Sequence, residues 1–271
     1  MPHPRSVFNH WYAQATQVIG RAEGQPQRSL NLPGARGLIL DRDHRELAIS
    51  VEAPSVYVHP SLLADRDATA EALARILERP AVTLAKRIGK RDRFVYLARW
   101  ITRDQAERIE ALGLRGVGIE NEPKRTYPSG PMAACLIGFV DLDGRGRRGV
   151  EQMMDGWLRA RPQRVSAGRD ARGRVLPREG LDPRETAGGD IVLAIDAALQ
   201  AQAESALARS IAKSGAQRGL VVVVEPKSCD ILTLAEAPSF DPNRFRELKA
   251  SDSSTSSAAP RIVEIGCHRR R

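Results

Sequence analysis

The stretch Ser210-Ile211-Ala212-Lys213-Ser214-Gly215 carries the residue types of a serine acyl-transfer site. Ser210 and Lys213 have the S-x-x-K spacing, in which a lysine activates the serine nucleophile, and Lys213-Ser214-Gly215 has the form of the K-[ST]-G triplet that such sites also use. Two physical arguments count against that chemistry. The apolar spacing around the stretch predicts a helix closing at Gly215, so both residues fall in its last turn. There the negative pole of the helix holds a lysine as a cation, and a cationic lysine is a poor base. The two patterns also share Lys213, whereas an acyl-transfer site needs them from separate segments converging on one substrate. An S-x-N element occurs at Ser29-Leu30-Asn31, in a segment read as linker and on the wrong side in chain order. The stretch is therefore read as a helix C-terminus with a dipole-complementing lysine and a glycine stop.

Other reactive sets are sparse. The sequence has no G-x-S-x-G, no P-loop and no G-x-G-x-x-G after a strand. Gly144-Arg145-Gly146-Arg147-Arg148-Gly149 has arginines that could meet phosphate, but it follows the acidic Asp141-Leu142-Asp143 and reads as a loop with solvated arginines. Asp141 and Asp143 alone make a weak cation site. Cys135, Cys229 and Cys267 are far apart and form no C-x-x-C pair, and no histidine pattern completes a metal set, so neither metal nor cofactor is expected. The formal charge is +9, but the basic residues are spread along the chain, and aromatics at 4% are too few for base-stacking platforms, so nucleic acid is not the expected partner. The longest apolar run, Gly219–Val224, is far short of a bilayer span, and Asn9, His10, Gln14 and Gln17 interrupt the mildly apolar residues 6–19, so no signal peptide is read there.

The elements that would position these residues are mixed. Residues 20–35 carry Gly, Pro and Gln without periodicity and read as a linker. Short strands are expected at 36–40, 46–51 and 55–60, the first two joined by a turn at Asp41–Arg45. Helices follow over 68–78, with Ala70, Leu73, Ala74 and Leu77 on one face, and from Pro80 to Gly89. A strand at 93–98, a helix capped by Thr102 and stopped at Gly113, and an extended run at 116–122 complete this part. Residues 161–178 read as an arginine-rich hairpin around Arg172-Gly173. A new pattern then begins: a buried-type strand at 191–195, Asp196 as N-cap, a helix striped by Leu199, Ala203, Ala206, Leu207 and Ile211, and a hairpin turning at 226–228. Without a regular β-α-β beat, the fold class is α+β.

Six blocks together resemble the class B penicillin-binding proteins, in family order and over roughly residues 36–250, with the division-type (FtsI-like) peptidoglycan D,D-transpeptidases most similar. They are 36–48 (RGLILDRDHRELA), 125–140 (RTYPSGPMAACLIGFV), 149–158 (GVEQMMDGWL), 169–176 (RDARGRVL), 191–200 (IVLAIDAALQ) and 237–245 (APSFDPNRF). The resemblance implies a membrane-anchored, periplasmic enzyme with an elongated non-catalytic pedestal, or dimerisation domain, ahead of a transpeptidase domain. On this chain it implies a pedestal over 36–178 and an incomplete start of an α/β transpeptidase domain over 179–250, while by composition residues 1–35 read as an N-terminal segment and linker and the Ser-rich, basic-ended 251–271 as a disordered tail. Arg36, Gly37, Asp41 and Arg42 match the first pedestal motif, Arg125, Tyr127, Pro128 and Gly130 the second, and Gly149 and Glu151 the third. Arg36, Arg125 and Glu151 are expected to tie the pedestal to the following domain through charge-assisted hydrogen bonds. Implied partners are peptidoglycan, division-machinery proteins and a second copy in a homodimer.

In the family the catalytic serine motif follows the 237–245 block by a few tens of residues, so the chain is read as a truncated relative, a binding or structural remnant, whose portion beyond about residue 185 should be the first lost to proteolysis. The competing readings are an active acyl-transferase using Ser210 and Lys213, and a basic nucleic-acid or anionic-surface binder. The chain departs from the family at His44, where glycine is usual and strain is expected, at Cys135, in place of a common histidine, and at Cys229, in place of a turn glycine.

Overall fold

The computed structural model describes residues 34–89, 94–160 and 187–247, with the backbone of short strands at 29–32, 163–166, 168–169 and 175–176. These residues form a mixed helix and sheet structure, as expected. The chain divides into two compact units, one made of residues up to Ile49 and from Tyr127 onward, the other of Ser50–Thr126.

Chain order begins with β1 (Ser29–Leu32), β2 (Ile39–Leu40) and β3 (Glu46–Val58). Residues 29–32, read as linker, instead pair antiparallel with 163–166, a partner too distant for periodicity to reveal. β3 merges two expected strands. Pro54 lies between the ladder that Glu46–Ala48 makes with β2 and the one that Val56–Val58 makes with β4 (Val95–Ala98), where a missing N–H is tolerated.

Within the Ser50–Thr126 unit, α1 (Arg66–Leu77) starts where the Asp65 carboxylate accepts from the N–H groups of Asp67 and Ala68, and ends at Glu78 in the left-handed region. α2 (Ala81–Gly89) follows Pro80. α3 (Arg103–Ala111) opens with a full capping box, Thr102 accepting from Gln105 N–H and the Gln105 amide oxygen accepting from Thr102 N–H. These helices bury Leu73, Ile76, Leu84, Ile88 and Ile109 against Val56, Val58 and Leu97 of the sheet β4-β3-β5, where β5 is Val117–Thr126.

The other unit continues through α4 (Ala134–Ile137), α5 (Gly149–Met153), α6 (Asp155–Leu158), β6 (Gln163–Ser166), β7 (Gly168–Arg169), β8 (Val175–Leu176) and β9 (Ile191–Val192). β7 and β8 pair antiparallel with Gly168 opposite Leu176, the register expected for a hairpin centred near Arg172; its turn lies outside the described residues. β9 adds to β2 in parallel, Ile39 opposite Ile191. Ile191, Leu193 and Ile195 thus share one core with Ile39, Leu47, Ile137, Val150 and Leu158.

α7 (Ala197–Ser214) is capped by Asp196, and β10 (Gly219–Val224) and β11 (Ile231–Ala237) form the expected antiparallel hairpin. The buried face of α7 departs from the expected stripe. Leu199 is 37% exposed, whereas Gln200 is fully buried beside Leu207.

Candidate functional site

Arg36, just ahead of β2, is buried, and its guanidinium is spent on the segment 144–155. Nε donates to Glu151 Oε2 at 2.6 Å, Nη2 to the Glu151 carbonyl at 2.8 Å, and Nη1 to Asp155 Oδ1 at 2.7 Å and the Gly144 carbonyl at 3.1 Å. Glu151 is fully buried at the start of α5, and the Tyr127 hydroxyl donates to its Oε1 at 3.4 Å. Asp155 also accepts from Gly146 N–H at 2.8 Å and pairs with Arg159 at 2.9 Å. Burial pushes the Asp155 carboxyl up, but the Gly146 N–H and the Arg36 and Arg159 guanidinium groups outweigh it and hold it below the usual carboxylate range. An always-charged guanidinium locked between two carboxylates makes a clamp and leaves no activated nucleophile.

The first-motif residues continue from this clamp. Gly37 N–H donates to the Leu158 carbonyl and Gly188 N–H to the Ala35 carbonyl, both at 2.9 Å. Three backbone segments cross here so closely that a Cβ on Gly37 would overlap the Gly189 carbonyl and one on Gly188 the Leu158 carbonyl, which explains the glycines. Leu38 N–H donates to Asp190 Oδ1 at 2.7 Å. Beyond β2, Asp41 is buried and its Oδ1 closes the turn by accepting from Asp43 and Arg45 N–H at 2.8 Å, while Arg42 N–H donates to the Ile195 carbonyl at 3.0 Å.

The second motif splits between the units. Arg125, at the end of β5, is buried and donates to Ser50 Oγ at 3.2 Å. Tyr127 begins a tight turn over Pro128, with Gly130 at φ 59°. Gly149 of the third motif, at φ 59°, opens α5 just ahead of Glu151. Arg36 and Glu151 bond each other, and Arg36 bonds Gly144 and Asp155 as well.

The links to residues 187–247 include groups that sequence reasoning passed over. Asn243 clasps the Tyr127 backbone, accepting its N–H and donating to its carbonyl, both at 3.0 Å. Buried Gln200 does the same to Leu234 of β11, and its amide also donates to Glu204 Oε1 at 2.8 Å, which accepts from Ala133 N–H at 2.7 Å. The signal was present in two polar side chains, Gln200 and Glu204, one turn apart on the face of a helix that otherwise packs on strands.

Ser210 and Lys213 sit on the last turn of α7, both exposed, with Gly215 as the left-handed C-cap at φ 72°. Asp141 is committed to its own loop, accepting from Asp143 and Arg145 N–H at 2.9 Å and from Arg147 Nε at 2.8 Å. Among the described residues no group of three His, Cys, Asp or Glu could hold a metal ion, and no helix is long and apolar enough to cross a membrane.

A family profile of the Penicillin-binding Protein dimerisation domain matches residues 31–193, and the chain belongs to that family. It is 37% identical over 218 residues to the probable peptidoglycan D,D-transpeptidase PbpC of Pseudomonas aeruginosa, covering 80% of this chain and 39% of that protein. It is 35% identical over 219 residues to the peptidoglycan D,D-transpeptidase FtsI of Escherichia coli K12, covering 78% of this chain and 37% of that protein. The chain thus spans about two fifths of the length of these relatives. Among solved structures, a peptidoglycan synthetase from Bifidobacterium adolescentis matches at 26% identity and TM-score 0.53, covering 81% of this chain and 46% of that one. Penicillin-binding protein PBP2 of Helicobacter pylori, solved in complex with MreC, shares the fold at 18% identity and TM-score 0.66, covering 81% of this chain and 44% of that one.

Proposed function

We propose that residues 36–247 act as the non-catalytic pedestal of a peptidoglycan D,D-transpeptidase together with the opening elements of its transpeptidase fold, and that Ser210 and Lys213 do not carry an acyl transfer. The reading rests on one observation above the rest: segments 36–49, 127–158 and 187–195 build a single core, closed by the Arg36 clamp and by the parallel pairing of β2 with β9. Such a joint transmits position and needs no reactive group. The expected division near residue 178 is best drawn beyond Ile195, because cutting before β9 would remove three core side chains. The relatives named above act on peptidoglycan, and the H. pylori protein of this fold binds MreC, which supports cell-wall polymer and division-machinery proteins as partners here, while the match to a dimerisation domain supports a homodimer as one assembly.

Exposure of the purified chain to a fluorescent penicillin followed by denaturing electrophoresis tests the reading. No covalent label is expected. Label that disappears in Ser210→Ala would establish the acyl-transferase reading in its place.

A further inference from the structure

In the Ser50–Thr126 unit the sheet β4-β3-β5 packs its helices against one face, through Val56, Val58, Leu97, Val117 and Ile119. The alternate residues carry aromatic rings. Tyr57 and Tyr96 are cross-strand partners, and Tyr57 stacks on Phe94 with centroids 4.9 Å apart and planes at 30°. Phe94 meets Tyr96 edge-on at 4.7 Å, and His59 meets Phe94 at 5.6 Å. Gly118 of β5 provides the space: a Cβ there would overlap the Tyr57 ring. Phe94 is 37% exposed at the centre of this cluster. Scarce as aromatics are in the composition, they gather here.

Polar groups border the rings. The Tyr96 hydroxyl donates to exposed Glu120 at 2.9 Å, and Arg99 grips Glu122 through two bonds, at 2.7 and 3.0 Å, with its guanidinium 5.4 Å from the Tyr96 ring centre. Glu120 and the Arg99–Glu122 pair thus set polar hydrogen-bonding groups at the edge of the rings. An exposed ring flanked by hydrogen-bonding carboxylates complements a neutral, hydroxyl-rich ring: its axial C–H bonds lie on the negative aromatic face while its hydroxyls donate to the carboxylates.

We propose that the Tyr57–Phe94–Tyr96 face, bordered by Glu120, Arg99 and Glu122, is a saccharide-binding surface that holds a glycan strand. The choice of glycan rests on the peptidoglycan reading above. The test is calorimetric titration of the purified full chain with chitotetraose, a β-1,4-linked N-acetylglucosamine tetramer, with co-sedimentation on isolated peptidoglycan sacculi. Phe94→Ala is expected to weaken chitotetraose binding about tenfold, the loss of one ring contact. Glu120→Gln, which keeps the rings, is expected to weaken it about threefold, and Val82→Ala, an exposed apolar residue on α2, to leave it unchanged. Melting curves show whether each variant folds; if Phe94→Ala does not, Glu120→Gln decides, and unchanged affinity in it overturns the proposal. Absence of saccharide heat, or sacculus retention that falls with salt and survives Phe94→Ala, also overturns it. A basic or proline-rich peptide displaced by Phe94→Ala, with no saccharide bound, would make the face a protein-docking surface and overturn it as well. Penicillin labelling at Ser210 would remove the pedestal reading and leave the titration to stand, so the two failures are distinguishable.

Discussion

Two turns one hundred residues apart, Asp41–Arg45 and Asp141–Arg145, are closed by the same bonds. In each the aspartate N–H donates to the arginine carbonyl at 2.9 Å, its Oδ1 accepts from the second and fourth following N–H groups, and the third following residue takes a left-handed backbone. That residue is Gly144 at φ 71° in one and His44 at φ 65° in the other. The surroundings differ too. Asp41 is fully buried, 3.7 Å from the Arg45 guanidinium, in a turn anchored on Ile195. Asp141 is partly exposed and held by Arg147, and its turn receives Arg36 at the Gly144 carbonyl. The conformation is therefore imposed by the aspartate and the N–H groups it gathers, while the residue at the left-handed position sets only how much strain accompanies it.

Cutting the second turn from the clamp should have the largest effect. Arg36→Ala leaves Glu151 buried without its guanidinium, and a loss of about 3–5 kcal/mol of stability is expected by denaturant unfolding. A loss under about 1 kcal/mol would mean that the 141–145 turn stands without the clamp. Next come the aspartates. Asp41→Ala orphans N–H groups around a buried site and is expected to cost about 2–3 kcal/mol, against about 1 kcal/mol for Asp141→Ala, where water can reach them. Equal losses would erase the distinction between the turns.

Acidity separates them further. Burial raises the Asp141 carboxyl, but the Arg145 N–H, the Arg147 side chain and the Asp143 N–H outweigh it and hold it below its unfolded value. Its stabilisation is therefore present above the ordinary carboxylate range, near pH 4, and is lost as pH falls through the lower folded value. The melting-temperature gap between wild type and Asp141→Asn should accordingly close as pH is lowered from about 5 toward 2. A gap independent of pH would show that the carboxylate charge contributes nothing there.

Much of this arrangement was legible in the sequence because it is local. Thr102 and Asp196 as caps, the stops at Gly113 and Gly215 and the apolar face of residues 68–78 are each written within one or two turns of chain. The blocks around Arg36, Tyr127 and Glu151 could be found, but their pairing could not, since Arg36 and Glu151 lie 115 residues apart and nothing local joins them. Gln200 and Asn243 were missed for another reason: each imitates a backbone strand partner, a role that polarity alone does not announce. The strand at 29–32 and the sharing of β9 between the two expected domains are likewise set by distant partners.

The finest test exchanges the residue at the left-handed position, one of two at which the turns differ, Arg42 against Leu142 being the other. A side chain in the left-handed region costs about 1 kcal/mol relative to glycine, so His44→Gly should raise stability by about that amount and Gly144→His should lower it similarly. Cys229, at φ 60° in the β10–β11 turn, gives an independent copy of the experiment: Cys229→Gly should also stabilise. If His44→Gly were neutral while Cys229→Gly stabilised, the imidazole would be supplying a compensating contact, and the two aspartate turns would differ in more than strain.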